Sequence, residues 1–361
     1  MRILLFGEYS GFYNCLRDGL IDLGHEVFIA SDGDGYKNYP ADFRYDKDPI
    51  LFMGKNLLLL KFMRNLKKIS NFDVVLVISF RPLGFNYFYN RFIFNYLFNN
   101  NEKVFISGAG LDCNNFDYWM TCGDEKLYNW ASSDIIESKE KGEKKYFLYN
   151  NKKFKEFEDS ILNRSSGYIP ITYEYSKFLE GHKKNKKAIP LPINLSKFEY
   201  QKNIYDDKVR FFHGKSRRCK GGALIEDAFN DLRTSEYADK FDFKCVGGLP
   251  FDEYTLLLNN SNVIVDNINS HSYGMNQLIS MAKGRVVLGG GDTIGNDFLY
   301  SAPSPGVSVK ANVDDIKEKI EYIINNRSYI EEWGEQSRHF VEYYHDYHKV
   351  AQQYIDTFNE N

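Results

Sequence analysis

The sequence predicts an α/β protein built from two Rossmann-like, doubly wound parallel-sheet domains, and three observations predict it. The chain has 361 residues, which at roughly 150 residues per domain makes two domains the expectation. Short apolar runs alternate with segments of helical periodicity, the pattern of parallel strands joined by crossover helices. That rhythm stops near residue 188 and begins again after Asp207.

In the first half, runs at 3–6, 26–30, 74–78 and 103–106 read as strands, and 12–23 reads as a helix. Between the halves lies Ala188-Ile-Pro-Leu-Pro-Ile-Asn-Leu-Ser-Lys-Phe198, where Pro190 and Pro192 deny both a helix and a central strand. The second half reads as strands at 209–213, 241–246, 263–265 and 286–288, with helices over 222–232, 252–259 and 275–282. Closing helices cover 316–325 and 328–358, the second broken around 344–347. The expected divisions are a first domain at 1–188, a linker at 189–206, a second domain at 207–343 and a tail at 344–361. The charge-rich stretch 138–159, with Lys144, Lys145, Lys152, Lys153 and Lys155, reads as a solvated helix and loop without chemistry.

Composition excludes several classes. Lys plus Arg number 46 against 49 Asp plus Glu, a net charge of −3, so a nucleic-acid partner is not expected. Hydrophobic residues at 43% and charged residues at 26% allow a sizeable core. The five cysteines lie far apart, without zinc or disulfide spacing. Met1-Arg-Ile-Leu-Leu-Phe-Gly7 runs straight into a strand and no 18-residue apolar window occurs, so a cytoplasmic chain without a membrane span is expected. A helix over 55–68 sets Lys55, Lys61, Arg64, Lys67 and Lys68 beside Leu57, Phe62 and Met63. It reads either as a core helix with a solvated basic edge or as a peripheral contact with an anionic inner membrane.

Ligands of open α/β sheets bind beyond the carboxyl ends of the strands, so the loops there carry the functional signal. The first, Gly7-Glu-Tyr-Ser-Gly-Phe12, lets backbone and helix N–H groups approach a ligand, or serves as a tight packing turn. It lacks the later glycines of a dinucleotide fingerprint. Ser31-Asp-Gly-Asp-Gly35 reads as a turn rather than a metal site, and no metal is expected. The strongest signal is Phe211-Phe-His-Gly-Lys-Ser-Arg-Arg-Cys-Lys-Gly-Gly222. It combines Lys215, Arg217, Arg218 and Lys220 with a glycine-led helix start, an anion site suited to a diphosphate; solvated surface is the alternative. Cys245-Val-Gly-Gly-Leu-Pro250 offers bare backbone for the edge of a base, and the polar loop Asp266 to Ser272 feeds a helix at Tyr273-Gly274.

At these residues the sequence resembles the glycosyltransferases of the GT-B fold, specifically the large retaining group, family four, of bacterial polysaccharide and lipid-sugar transferases. Gly7 to Gly11 is similar to that family's first glycine loop, Leu20-x-x-Leu-Gly-His-Glu-Val27 to its helix-to-second-strand turn, and Pro192-Ile-Asn-Leu-Ser-Lys-Phe198 to its interdomain signature. His213-Gly-Lys…Lys220-Gly resembles its diphosphate site, with Lys215 in place of arginine, and Tyr273-Gly…Met281-Ala-Lys-Gly284 its nucleotide-binding helix. The resemblance implies that the tail packs back on the first domain. It also implies sugar transfer from a nucleoside diphosphate donor to a glycan or lipid-linked acceptor, with retention, without metal or cofactor, in capsule or O-antigen synthesis.

The residues expected to carry catalysis are Lys215 and Lys220, in the loop that resembles the diphosphate site, and Asp112, in a loop after a strand of the first half. Donor contacts fall to Gly11, Gly214, Arg217, Gly221, Gly248 and Leu249, and to the run His271, Ser272, Tyr273, Gly274, Met275 and Asn276. Acceptor contacts fall to Tyr9, Arg81 and Asp112; as ordinary residues the last two would be a surface arginine and a helix cap. Two departures stand out. The family's two glutamates, eight positions apart, fall on His271 and Ile279, and no histidine lies between His25 and His182. The alternatives are a nucleotide-sugar epimerase on the same plan and a catalytically silent nucleotide-sugar-binding protein.

Overall fold

The computed structural model describes residues 1–45, 62–84, 86–140, 142, 148–215, 217–249 and 251–360. The first sheet comprises β1 (Arg2–Phe6), β2 (Glu26–Ser31), β3 (Phe43–Arg44), β4 (Val74–Val77), β5 (Lys103–Gly108) and β6 (Gly167–Pro170), in the order β3-β2-β1-β4-β5-β6. The second comprises β7 (Val209–Lys215), β8 (Phe241–Gly247), β9 (Val263–Asp266), β10 (Val286–Gly289) and β11 (Val307–Ser308), in the order β11-β10-β9-β7-β8. Every neighbouring pair is parallel. Helices cover both faces of such a sheet, so β4, β9 and β10 are buried at every position and read as apolar runs, broken in β9 only by Asp266 at its end. Strand order reverses between β1 and β4 and again between β7 and β9, the points at which open α/β sheets generally bind their ligands.

The chain divides into two units: Met1–Tyr118 with Lys144–Pro192 and Tyr347–Asn361, and Trp119–Glu143 with Ile193–Asp346. The break at Pro192 lies inside the proline-bearing segment. Residues 119–143 group with the second unit, whereas the sequence counts them with the first. Their ion pairs, described below, run to the loops after β7, β9 and β10. The last helices are Ile330–Tyr344 and Tyr347–Asn359, the second of which belongs to the first unit. It lies against the helix Phe12–Asp22, where a Cβ on Gly19 would strike the Tyr347 carbonyl.

Two charged stretches singled out in the sequence fall as follows. The lysine-rich stretch 138–159 contains most of a helix, Lys152–Arg164, that buries Phe154, Phe157, Glu158, Ile161 and Leu162. This is a one-sided stripe at helical spacing hidden under solvated lysines. Of the basic segment 55–68, residues 55–61 lie outside the described residues; of the apolar residues that remain, Phe62 is buried and Met63 is exposed. Among the described residues no helix is long and apolar enough to cross a membrane.

Candidate active site

The crevice between β7 and β9 is built around one ion pair. After β7 a short 3-10 turn, Arg218–Lys220, leads to Gly221, which starts the helix Gly222–Leu232 with φ of 79°. Only glycine fits: the backbone is left-handed, and a Cβ would strike Ile268. Among the described residues no side chain caps this helix, which leaves its first N–H groups to an anion. Lys220 Nζ lies 2.8 Å from Asp266 Oδ1, at the end of β9. Asn276 Nδ2 donates to the same carboxylate at 3.0 Å, and Tyr254 donates to Asn276 Oδ1 at 2.6 Å. Burial alone would raise the Asp266 pKa, but the charge and hydrogen bond of Lys220, with Asn276, hold it below the usual carboxylate range. His213 Nδ1 donates to the Val265 carbonyl at 2.7 Å; burial lowers its pKa, which keeps the ring neutral. Backbone and side-chain bonds, Ile268 N to Lys220 O at 3.2 Å and Asn269 Nδ2 to Cys219 O at 2.8 Å, fix the two loops to each other.

The four cations of this loop are not gathered at one point. Lys215 turns to Glu226 at 2.6 Å, and its side chain is 56% exposed. Arg217 pairs with Asp134 at 3.2 Å and Arg218 with Glu140 at 2.6 Å. Lys220 is the loop cation that rests on a buried carboxylate, which sets it apart from Lys215.

His271 lies between two carboxylates. Its Nδ1 is 2.7 Å from Asp292 Oδ2 and its Nε2 is 2.8 Å from Asp124 Oδ2. Lys126 Nζ adds a bond to Asp292 at 2.9 Å and another to the Ser270 carbonyl at 3.3 Å. Burial disfavours the imidazolium, but the hydrogen bonds it donates to Asp124 and Asp292, and their charges, outweigh it and hold the pKa at about 9. Asp292, which burial would raise, is drawn down to about 2 chiefly by its bonds to His271 and Lys126. Both ring nitrogens are therefore committed, and His271 serves this cluster instead of a donor contact. Tyr273 turns its hydroxyl to Ser304 and the Gly306 N–H, and Ser272 N donates to Ser270 Oγ. The Gly274 N–H is taken by Gln277 Oε1, and Met275 is buried. Of the run 271–276, Asn276 is the residue bonded to Asp266. Gly248 and Leu249 stand at the end of β8, where Gly248 has open space around it.

A pH test follows. The folded His271 pKa lies above its unfolded value of about 6.5, so its stabilisation is full below that pH and is lost as pH rises through about 9. The shift corresponds to at most about 3 kcal/mol, and to about 2 kcal/mol after allowing for solvent around the partly exposed carboxylates. Urea unfolding from pH 6 to 10 is expected to show that loss, and His271→Gln to flatten it; equal slopes in both proteins would refute the assignment.

No protein-family model matches the chain, and no curated protein does. Solved structures do. Sucrose-phosphate synthase from Thermosynechococcus elongatus superimposes with a TM-score of 0.65 at 14% identity, over 99% of this chain and 98% of that one. Anabaena HepE in complex with UDP and glucose gives 0.60 at 12% identity, over 99% of each chain. UDP-GlcNAc 2-epimerase from Neisseria meningitidis bound to UDP-GlcNAc gives 0.54 at 12% identity, over 100% of each. The fold is GT-B.

In the first GT-B unit the glycine loop differs from its counterpart after β7. Gly11 also starts a helix, with φ of 84°, but the buried Glu8 carboxylate accepts from Tyr13 N at 3.3 Å and Asn14 N at 3.0 Å. The helix start that the sequence offers to a ligand is thus occupied by the chain's own anion. Burial lifts the Glu8 pKa to about 7 against the hydrogen bonds of Asn14 and Tyr13. Tyr9 reaches the crevice between β1 and β4, where its hydroxyl lies 3.4 Å from Ser79 Oγ. Gly110 adjoins both: a Cβ there would be 3.0 Å from Ser79 Cβ and 3.4 Å from Tyr9 Cε2. Asp34 is held by Ser10 N at 2.8 Å and Lys37 at 2.7 Å, as a turn residue.

Arg81 and Asp112 depart from both readings of the sequence. Arg81 is 6% exposed, with Nε 3.4 Å from Asp112 Oδ1 and 3.4 Å from Glu158 Oε1. Glu158 accepts from Cys113 N at 2.8 Å and Asn114 N at 2.9 Å, and so caps the helix Cys113–Thr121, the part that Asp112 was expected to play. Asp112 accepts from Phe80 N at 3.3 Å and is 2% exposed. Burial and then the Glu158 charge push the Asp112 carboxyl up, against Arg81. In this buried ionic cluster neither residue presents a group to an acceptor.

Proposed function

We propose that the chain is a glycosyltransferase that moves a sugar from a nucleoside diphosphate donor to a hydroxyl of a glycan or lipid-linked acceptor. In this reading transfer retains the anomeric configuration, uses protein cations instead of a metal, and serves surface polysaccharide synthesis. One observation carries it: an uncapped, glycine-led helix start beside Lys220 at the β7–β9 crevice. The leaving diphosphate gains charge as the glycosidic bond breaks. Lys220 Nζ and the helix N–H groups meet that charge, and the departing phosphate takes the proton of the attacking hydroxyl on the same face. Asp266 and Asn276 hold Lys220 in place before the donor arrives. Gly214 and Gly221 give the phosphates close approach, Gly248 and Leu249 offer main chain to the base, and Tyr9 with Ser79 offers hydroxyls to the acceptor. HepE was solved with UDP and glucose, which favours a uridine donor as the first to try.

Calorimetry with UDP, GDP and ADP tests the donor site. One of the three is expected to bind, and its nucleoside without phosphates is not; no binding by any would overturn the reading. A second reading is an epimerase, favoured by Glu8, a buried carboxyl whose pKa of about 7 suits proton transfer near neutrality. NMR of the donor without acceptor separates them: unchanged sugar supports transfer, and an epimerised sugar nucleotide supports the alternative.

A further inference from the structure

We infer that residues 124–140 form a strap over the ends of β10, β9 and β7, anchored at one end and latched at the other by carboxylates that a bound diphosphate displaces. The inference rests on the donor-site reading above and adds a regulator to it.

The anchor is the cluster around His271. Asp124 caps the helix Glu125–Glu140 through Oδ1, which accepts from Leu127 N at 3.1 Å, while Oδ2 meets His271. Lys126 joins Asp292, just beyond β10. These groups are mostly buried, with side-chain exposures of 5% for His271, 11% for Lys126 and 17% for Asp292. The latch lies roughly 15–24 Å further along the helix at about 1.5 Å per residue. There Asp134, Glu137 and Glu140, spaced three apart on one face, meet the loop after β7. Asp134 accepts from Arg217, Glu137 from the backbone N–H of Arg218 at 3.1 Å, and Glu140 from the Arg218 guanidinium.

The two ends differ in strength. Arg217 and Arg218 are 55% and 50% exposed at the side chain and Glu140 is 59% exposed, so the Arg218–Glu140 pair is worth about 1 kcal/mol or less and weakens with salt; Asp134 is 12% exposed, so its pair with the exposed Arg217 is the stronger of the two. The latch carboxylates occupy the donors that a phosphate would use, two guanidinium groups and a backbone N–H. A diphosphate concentrates more charge on those donors than separate, partly solvated carboxylates do. It therefore releases the latch end while the anchor holds the helix start.

The test uses the full chain with UDP and with inorganic pyrophosphate, and the triple variant Asp134→Asn, Glu137→Gln, Glu140→Gln. Calorimetry at low salt is expected to show the variant binding about tenfold more tightly than the wild type, with the gap closing as salt is raised. Hydrogen exchange on the wild type is expected to rise over 133–140 on adding UDP while 124–128 stays protected, a readout that does not depend on the variant folding. Equal affinities in the two proteins, or unchanged exchange over 133–140 in a wild type that binds UDP, would overturn the strap and leave the donor site standing. Binding by the variant alone would support it. Binding by neither protein would overturn the donor site and the strap together.

Discussion

Replacing Lys220 by Ala is expected to lower sugar transfer by about 10²–10³-fold, the usual effect of removing one preorganised group that meets developing charge. The same change also acts on folding, because it leaves the buried Asp266 carboxylate with Asn276 but without its ammonium partner. Stranding a buried charge costs several kcal/mol; Lys220 is 24% exposed at the side chain, so solvent reduces this to about 2 kcal/mol. A second substitution separates the two effects. Lys220→Ala with Asp266→Asn is expected to recover most of the stability in urea unfolding and none of the transfer rate. Recovery of transfer in the double variant would mean that Lys220 acts only on the fold, and unchanged activity in the single variant would remove it from the chemistry altogether. Lys215→Ala is the contrasting control. Its partner Glu226 is itself partly exposed, so a change of less than about 0.5 kcal/mol in stability is expected.

Arg81→Met is expected to cost about 3–5 kcal/mol of stability, the usual price of removing one member of a buried ionic cluster. Asp112 and Glu158 would then face each other without the guanidinium between them. Burial and mutual repulsion raise their folded pKa values above the unfolded ones. The folded variant thus holds protons that the unfolded chain releases, and its stability falls as pH rises from about 4 toward neutrality. Unfolding curves for Arg81→Met at pH 5 and pH 7.5 are expected to show the larger deficit at the higher pH. Adding Glu158→Gln should remove most of that dependence. A deficit independent of pH would mean that lost packing against Tyr149, whose ring lies 5.1 Å from the guanidinium, is the main effect.

The parallel sheets were legible because their central strands are buried on both faces and leave apolar runs, as at Val263–Val265 and Val286–Leu288. The edge strands β3 and β11 are two residues long, too short to leave a pattern. The loop after β7 was legible from its cations and glycines, yet their pairing was not. Glu226, Asp134 and Asp266 are set against it by the fold, and spacing along the chain says nothing about which lysine meets a buried acid. The sequence offers His271 as the place of a replaced glutamate and as a donor contact, and gives no sign of its partner Asp124, 147 positions away. Glu158 had a readable signal, since it continues the stripe of Phe154, Phe157, Ile161 and Leu162, but the surrounding lysines obscured it.

The helix Tyr347–Asn359 completes a unit whose first strand is made of residues 2–6. In a nascent chain that has not yet reached Tyr347, the face of the helix Phe12–Asp22 that carries Phe12 and Gly19 therefore stays uncovered. A chain cut short before Tyr347 presents that sticky face to chaperones and proteases, so a single helix decides whether the first unit escapes their attention.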